Sequence, residues 1–169
     1  MSALEKDFKR SLLRLREVSV GSLYQVSPMR FFTIGYGGRS PSEFVERLAE
    51  HGVRVVVDVR LRPDKAAMGS YVYSKDPHKG IRKLLIDRDI GYQSVIELGN
   101  LFLGHEDWPV QYGQLLDKAG ALLTSRLCDL HLPEPVCLLC AEKKAEECHR
   151  RQIAEYLVRA RGWELIEHL

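Results

Sequence analysis

The stretch Val53–Val59, with the sequence VRVVVDV, is a run of β-branched valines that only two charged residues interrupt. Such a run is typical of a parallel strand that is buried on both faces of an α/β sheet. A helix start precedes it, because Ser40 is a good N-cap, Pro41 suits the first helical position and Glu43 completes a capping box. We therefore predict a helix over residues 41–51 and a central strand at Val53–Val59.

The alternation of helix and strand continues on both sides of this run. Further strand-like apolar runs occupy residues 31–34, 91–96, 136–140 and 163–166. Apolar residues at helical spacing lie between them, in residues 81–88, 110–127 and 153–160. Strands that alternate with helices form a parallel sheet covered on both faces. The sequence therefore predicts a three-layer α/β sandwich with a mainly parallel sheet of five or slightly more strands.

The length and composition fit one domain with an N-terminal addition. The chain has 169 residues, of which 45% are hydrophobic, and this supplies one core. Near the N-terminus, apolar residues at helical spacing indicate an amphipathic helix, at Leu4, Phe8, Leu12 and Leu15. We predict a helical extension over residues 1–30 and a single α/β domain over residues 31–169.

The charge balance argues against a general affinity for polyanions. The chain carries 25 Lys and Arg against 23 Asp and Glu, a formal net charge of +2, so any phosphate site must be local. The longest apolar runs are the size of a strand, which argues against a membrane span. The first ten residues contain no apolar secretory core, so we expect a cytoplasmic protein with reduced cysteines.

Polar side chains collect after the predicted strands, where ligands bind in such folds. Substrate-binding residues are predicted there at Gly35, Tyr36, Arg39, Arg60, Glu97, Asn100 and Arg150. The glycine-rich loop 35–39 is similar to a phosphate cradle but lacks both common nucleotide-binding motifs. The arginines would clamp a phosphate or carboxylate, or form structural ion pairs, as between Arg150 and Asp58 or Glu142.

Four ionisable residues are candidate catalytic groups, namely Cys140, Glu142, His149 and Asp58. Cys140 ends a strand, and basic neighbours and a following helix would lower the pKa of its thiol; the alternative is a cysteine that only packs. Glu142 or His149 would be the acid–base group. Either burial raises the pKa of Asp58, or pairing with an arginine keeps its carboxylate ionised. A Cys-x5-Arg phosphatase motif is excluded, because Glu146 stands six positions after Cys140.

Zinc is the alternative cofactor, and no other cofactor is predicted. Cys140, Cys148 and His149 are ligand types that zinc prefers, with Glu142 or a water molecule as the fourth ligand. Their spacing matches neither a Cys-x2-Cys knuckle nor a His-Glu-x-x-His helix. Neighbouring residues also diverge by about 100° on a helix, so the sequence does not favour a shared metal at residues 148 and 149. A redox pair of the two cysteines is a further alternative.

One loop offers an aromatic and basic surface. It contains two tyrosines and several basic side chains, at Tyr71, Tyr73, Lys65, Lys75, His78 and Lys79. Such a loop would form a flap over a nucleotide or single strand, or it is an ordinary solvated loop.

Several motifs together resemble a known family. They are TIGYGGRS at 33–40, DVRLRP at 58–63, GY at 91–92, ELGN at 97–100, LCAE at 139–142 and CHR at 148–150. In this order the motifs resemble the bacterial and archaeal family named domain of unknown function 488. The resemblance implies a small intracellular α/β protein with the motif residues around one pocket, and it implies no activity. The sequence DKAA at 64–67 departs from the family pattern, as do the first thirty residues.

We therefore predict an enzyme with one pocket at the carboxyl edge of the sheet, acting on a phosphorylated, nucleotide or nucleic-acid substrate. It would be a hydrolase or transferase with a reactive cysteine. The alternatives are a non-catalytic module that binds a nucleotide or nucleic acid, and a zinc-stabilised interaction domain. The expected partners are a small-molecule or nucleic-acid phosphate ligand and a second copy in a homodimer, with no membrane.

Overall fold

A computed structural model describes residues 28–169 of the chain. The helix predicted from Leu4, Phe8, Leu12 and Leu15 lies outside the described residues, so the predicted domain boundary at residue 30 stays a prediction. Within residues 28–169, every helix is too short or too polar to cross a membrane.

Helices and strands alternate along the described chain. In order they are β1 (Arg30–Gly35), α1 (Pro41–Glu50), β2 (Val55–Asp58), α2 (Gly80–Ile86), β3 (Gly91–Ser94), α3 (Trp108–Leu123), α4 (Ser125–Asp129), β4 (Val136–Cys140), α5 (His149–Arg161) and β5 (Glu164–His168). Short 3-10 turns occupy Gly69–Tyr71 and Ile96–Leu98. The predicted strand at 136–140 is confirmed to the residue.

The five strands form one parallel sheet in the order β3-β2-β4-β1-β5. Apolar residues of α1 and α2 pack on one face of this sheet, and those of α3 and α5 pack on the other. The predicted three-layer α/β sandwich is therefore confirmed. Along β4, Cys137 belongs to the α1/α2 core and Cys140 to the α3/α5 core, because successive side chains of a strand alternate in direction.

Local interactions explain where two of the helices begin and end. The predicted capping box of α1 is present, since the Ser40 hydroxyl accepts from the Glu43 N–H at 3.2 Å and the Glu43 carboxylate accepts from the Ser40 N–H at 2.7 Å. The single helix predicted over 110–127 is instead α3 and α4. At the break, the Thr124 hydroxyl donates to the Gly120 carbonyl at 2.7 Å, a side-chain bond that competes with regular helix continuation.

The central strand β4 differs from both of its neighbours in the direction that its chain takes. After β1 and β2 the chain passes to the α1/α2 face, whereas after β4 it passes to α5 on the opposite face. Ligands of open α/β sheets bind where neighbouring connections leave in opposite directions. The carboxyl end of β4 is therefore the place where this topology favours a site.

Candidate metal centre

Four metal-ligating side chains converge after the last residue of β4. They are Cys140, Glu142, Cys148 and His149, and their ligand atoms all lie within 4.8 Å of one another. The Cys140 Sγ is 3.1 Å from Glu142 Oε2 and 3.7 Å from His149 Nδ1, and the Cys148 Sγ is 3.9 Å from that nitrogen. Tetrahedral zinc, with Zn–S about 2.3 Å and Zn–N about 2.0–2.1 Å, separates sulfur and nitrogen ligands by about 3.6 Å. The two observed sulfur–nitrogen distances are close to that value.

A hydrogen bond to the main chain fixes how the His149 ring meets the two sulfurs. The Nε2 atom lies 3.1 Å from the carbonyl oxygen of Val59, and since a carbonyl only accepts, Nε2 carries the proton. In a neutral ring, Nδ1 then presents its lone pair toward Cys140 and Cys148. Metal-binding histidines use this arrangement, because the donated N–H orients the ring and fixes its tautomer.

The conformation of Cys148 allows its side chain and that of His149 to share a metal, which the sequence did not favour. Cys148 is the N-cap of α5, with φ −135° and ψ 140°, so it is extended while His149 begins the helix. The divergence of about 100° between neighbours applies only inside a helix. The extended backbone at Cys148 instead allows both side chains to face Cys140.

Arg150 holds the turn that carries Glu142. Its side chain is fully buried, and its guanidinium donates to the main-chain oxygens of Glu142 and Lys143, the latter at 2.9 Å. Its Nε also donates to the Thr33 hydroxyl at 3.3 Å. The predicted ion pair of Arg150 with Asp58 or Glu142 is wrong, because carbonyls take the donors that a carboxylate would take.

The glycine-rich loop after β1 packs directly against the same turn. A Cβ atom at Gly35 would lie 1.7 Å from the Glu142 carbonyl oxygen, and one at Gly37 would lie 2.8 Å from that of Ala141. The Gly37 N–H donates to the Ala141 carbonyl at 2.8 Å. Glycine is required here for a close approach of two backbones, and this N–H is engaged by the protein.

Tyr112 supports the centre from α3, and the sequence argument overlooked it. Its ring lies edge-on to the His149 ring at 5.2 Å, and its hydroxyl donates to the Leu98 carbonyl at 2.6 Å. Burial raises the pKa of this hydroxyl far above its usual value. Tyr112 stands four residues before the buried Leu116 on the same helix, and this helical spacing could have identified it.

The two thiols share their protonation. The hydrogen bond between them lowers the pKa of Cys148, and the same bond together with burial raises the pKa of Cys140. Burial alone would raise the pKa of Glu142, but hydrogen bonds from Cys148 and Cys140 outweigh it and lower the pKa below its usual value. Cys140, Cys148 and Glu142 therefore lie close enough to shift one another's pKa values.

Asp58, also predicted to be catalytic, lies in a separate cluster toward the α1/α2 face. Its carboxylate is fully buried and accepts from the Arg60 Nε at 2.8 Å, a second guanidinium nitrogen at 2.6 Å, the Arg60 main-chain N–H at 3.1 Å and the Tyr92 hydroxyl at 2.7 Å. Burial alone would lower the pKa of Arg60, but Asp58 outweighs it and raises that pKa. Burial and Asp58 both raise the pKa of Tyr92. We call these three residues the Asp58 cluster.

The arginines predicted to clamp an anion donate to protein atoms. The Arg60 guanidinium also donates to the Tyr71 carbonyl at 3.0 Å and lies 5.2 Å from the centre of the Tyr36 ring. Arg39 donates to the main-chain oxygens of Gly35 and Leu169 at 2.9 and 3.0 Å. These contacts give the arginines a structural role at the edge of the sheet.

The predicted residues after β3 point to other partners. Glu97 is exposed and pairs with Arg126 at 2.9 Å. Asn100 is 1% exposed, and its Oδ1 accepts from the Phe102 N–H at 2.9 Å. Neither residue belongs to the cysteine cluster.

The predicted aromatic flap is wrong for Tyr71. This side chain is fully buried, stacks on Tyr36 at 4.5 Å and donates its hydroxyl to the Arg39 carbonyl at 3.0 Å. Tyr73 is half-buried and stacks on Tyr92 at 5.6 Å. The basic side chains of this loop are exposed, at Lys65, Lys75, His78 and Lys79.

By fold, this is a three-layer α/β protein in which side chains able to bind a metal lie at the topological switch point of a parallel sheet. Comparison with family models is more specific: the model named Domain of unknown function DUF488 matches residues 40–157, more than half of the chain. The chain therefore belongs to this family. No curated protein and no solved structure matches it significantly.

Proposed function

We propose that the chain is a zinc-binding protein, with Cys140, Cys148, His149 and Glu142 as the ligands of one ion. One observation carries the proposal: four ligand atoms from these residues lie within 4.8 Å of one another at the end of the central strand. Two sulfurs, an imidazole nitrogen and a carboxylate oxygen are ligand types that zinc binds in four-coordinate sites.

The ligand types select among metals. Thiolate ligands favour zinc over magnesium and calcium, which take oxygen ligands. Burial supports the same choice, because Cys140, Cys148 and His149 are each at most 3% exposed. The partly buried carboxylate of Glu142 forms no ion pair with the neighbouring cation Arg150, because that guanidinium donates to carbonyls instead.

The proposed ion would connect the end of β4 to the beginning of α5. Cys140 ends the strand, and Cys148 and His149 begin the helix. Binding to the folded chain alone stabilises it by about 3–4 kcal/mol when free zinc exceeds its Kd by 100- to 1,000-fold. This is the zinc-stabilised domain that the sequence offered as an alternative.

Metal content tests the proposal directly. Reduced full-length protein, supplied with zinc and passed through a desalting column, is expected to retain one zinc per chain by elemental mass spectrometry. Cys148→Ala is expected to lose the zinc, because it removes one thiolate ligand. In the wild type, a strong chelator is expected to lower the melting temperature.

Cys137→Ala is the matched control. Cys137 is buried on the same strand as Cys140 but packs in the α1/α2 core, so this variant should retain its zinc. A wild-type protein without zinc, or full zinc retention by Cys148→Ala, would contradict the proposal.

The other functions stay predictions. Catalysis on a phosphorylated or nucleotide substrate receives less support from the geometry, because Arg39, Arg60 and Arg150 donate to protein oxygens. A reactive Cys140 is disfavoured by its burial and by the raised pKa of its thiol. A cytoplasmic location fits free thiol ligands, which persist in a reducing compartment.

A further inference from the structure

We propose that Glu142 is a displaceable fourth ligand, so that the metal has one coordination position open to a water molecule or a small anion. This inference rests on the proposed zinc site. It adds that the site binds an exogenous ligand, which distinguishes a reactive zinc centre from a closed structural one.

The four side chains differ in their access to solvent. Cys140, Cys148 and His149 are 3%, 2% and 3% exposed, whereas Glu142 is only partly buried. An incoming ligand therefore reaches the metal most easily from the side of the carboxylate.

The four side chains also differ in how firmly the fold holds them. Cys140 ends a strand paired on both sides, and the His149 ring is anchored by its bond to Val59. The main chain of Glu142 is fixed by Arg150, but its carboxylate sits on a flexible side chain beside two thiols. Displacing the carboxylate therefore breaks one metal–oxygen bond and leaves the fold intact.

Asp58, unlike Glu142, is a carboxylate that hydrogen bonds from the protein hold in place. Asp58 accepts four hydrogen bonds, three of them from Arg60 and one from Tyr92. The ligating oxygen of Glu142 instead faces the Cys140 sulfur at 3.1 Å. The protein therefore holds the carboxylate of Glu142 less firmly than that of Asp58.

The bond between the metal and the Glu142 oxygen would break, and a water oxygen would donate an electron pair to the metal in its place. The freed carboxylate would accept a hydrogen bond from this water and hold it in position, with no proton transferred. Zinc lowers the pKa of bound water to about 7, and the chemistry it would supply is attack of water on an electrophilic carbon or phosphorus; zinc deaminases place a glutamate two residues after a zinc ligand for this purpose.

Cobalt substitution with azide as the probe tests the open position. Full-length protein loaded with cobalt(II) is titrated with sodium azide, and the ligand-field absorption bands are recorded. We expect a saturable spectral change in the wild type. Glu142→Ala should retain cobalt through the three remaining ligands, with a lower affinity than the wild type. It should also bind azide more tightly than the wild type, because no carboxylate competes.

Glu146→Ala is the matched control, since Glu146 is an exposed carboxylate on the same turn; its azide affinity should equal that of the wild type. Three results would overturn the inference: no response to azide in the wild type, equal azide affinity in wild type and Glu142→Ala, or loss of cobalt from Glu142→Ala as complete as from Cys148→Ala. If the wild type binds neither cobalt nor zinc, the proposed function itself fails. Metal binding without an azide response refutes only the open position.

Discussion

Two carboxylates lie at the carboxyl edge of the sheet, and their surroundings are opposite. Asp58, at the end of β2, is saturated by donors of the protein, with Arg60 forming a two-pronged ion pair. Glu142, after β4, lies beside two thiols and an imidazole, which are groups that can donate an electron pair to a metal. Both carboxylates follow apolar strands, so sequence position alone does not separate them. The difference teaches that a buried carboxylate with all its donors from the protein is structural, whereas a carboxylate that converges with thiols and an imidazole favours the proposal of a metal site.

Removing the carboxylate of the Asp58 cluster should have the largest effect on stability, and it tests whether this cluster is independent of metal. Asp58→Ala leaves Arg60, which is 4% exposed, as an uncompensated buried charge. We expect a loss of about 3–5 kcal/mol in the free energy of unfolding. Urea unfolding should show the same loss with and without a zinc chelator, because this cluster does not depend on metal.

The control for this prediction is Asp64→Ala. Asp64 and Arg62 form an ion pair at the same sequence spacing, with both side chains more than half exposed, so little change is expected. A loss for Asp58→Ala that vanishes in chelator would break the distinction between the two regions.

A substitution in the glycine-rich loop tests the region around Glu142, and its expected effect on stability is smaller than that of Asp58→Ala. Gly35→Ala places a Cβ atom 1.7 Å from the Glu142 carbonyl oxygen, so the turn that carries the ligands must move. We expect a loss of about 1–3 kcal/mol in stability and weaker zinc binding in a competition assay. Gly69→Ala is the control, because a Cβ atom there meets no atom within 4 Å. Wild-type zinc affinity in Gly35→Ala would show that the loop does not position the ligands.

The smallest effect on stability is expected from a change of pH, because the Thr33 hydroxyl connects a titratable histidine, His168, to Arg150. The Thr33 hydroxyl lies 2.7 Å from His168 Nδ1 and accepts from Arg150. Burial, and then the charge of Arg150, lower the pKa of His168 in the folded protein. The unfolded chain therefore binds more protons, so stability is present above the ordinary histidine pKa of about 6.5 and is lost as pH falls below it.

This dependence is measured as urea unfolding in chelator, between pH about 7.5 and about 5, so that metal binding does not contribute. His168→Gln should flatten the curve. A wild-type stability that rises as the pH falls would contradict the assigned direction.

The sheet could be predicted from sequence because its signals are local. The capping box at Ser40 and Glu43 and the apolar run of β4 each specify their element within a few residues. The order of the strands depends on packing between distant segments, and no local pattern contains it.

The candidate site was predicted only in part. Its four residues were all singled out, since thiol, imidazole and carboxylate side chains near a strand end are conspicuous. The sequence did not predict that Cys148 and His149 both face Cys140, because this depends on the extended backbone of Cys148. The hydrogen-bond partners of the arginines could not be predicted from sequence either. Most of their acceptors are main-chain carbonyl groups, which every residue has, so no sequence pattern identifies them.

All four proposed ligands lie within the segment 140–149, and this has a consequence for the order of folding. Closing so short a loop costs little conformational entropy, so the unfolded chain can already hold the metal with some of its ligands. Metal affinity of the unfolded state reduces the net stabilisation but gives this segment local order early. We expect zinc to be captured before the sheet is complete, with Val59 and Tyr112 reaching the histidine ring only when the strands and α3 assemble around it.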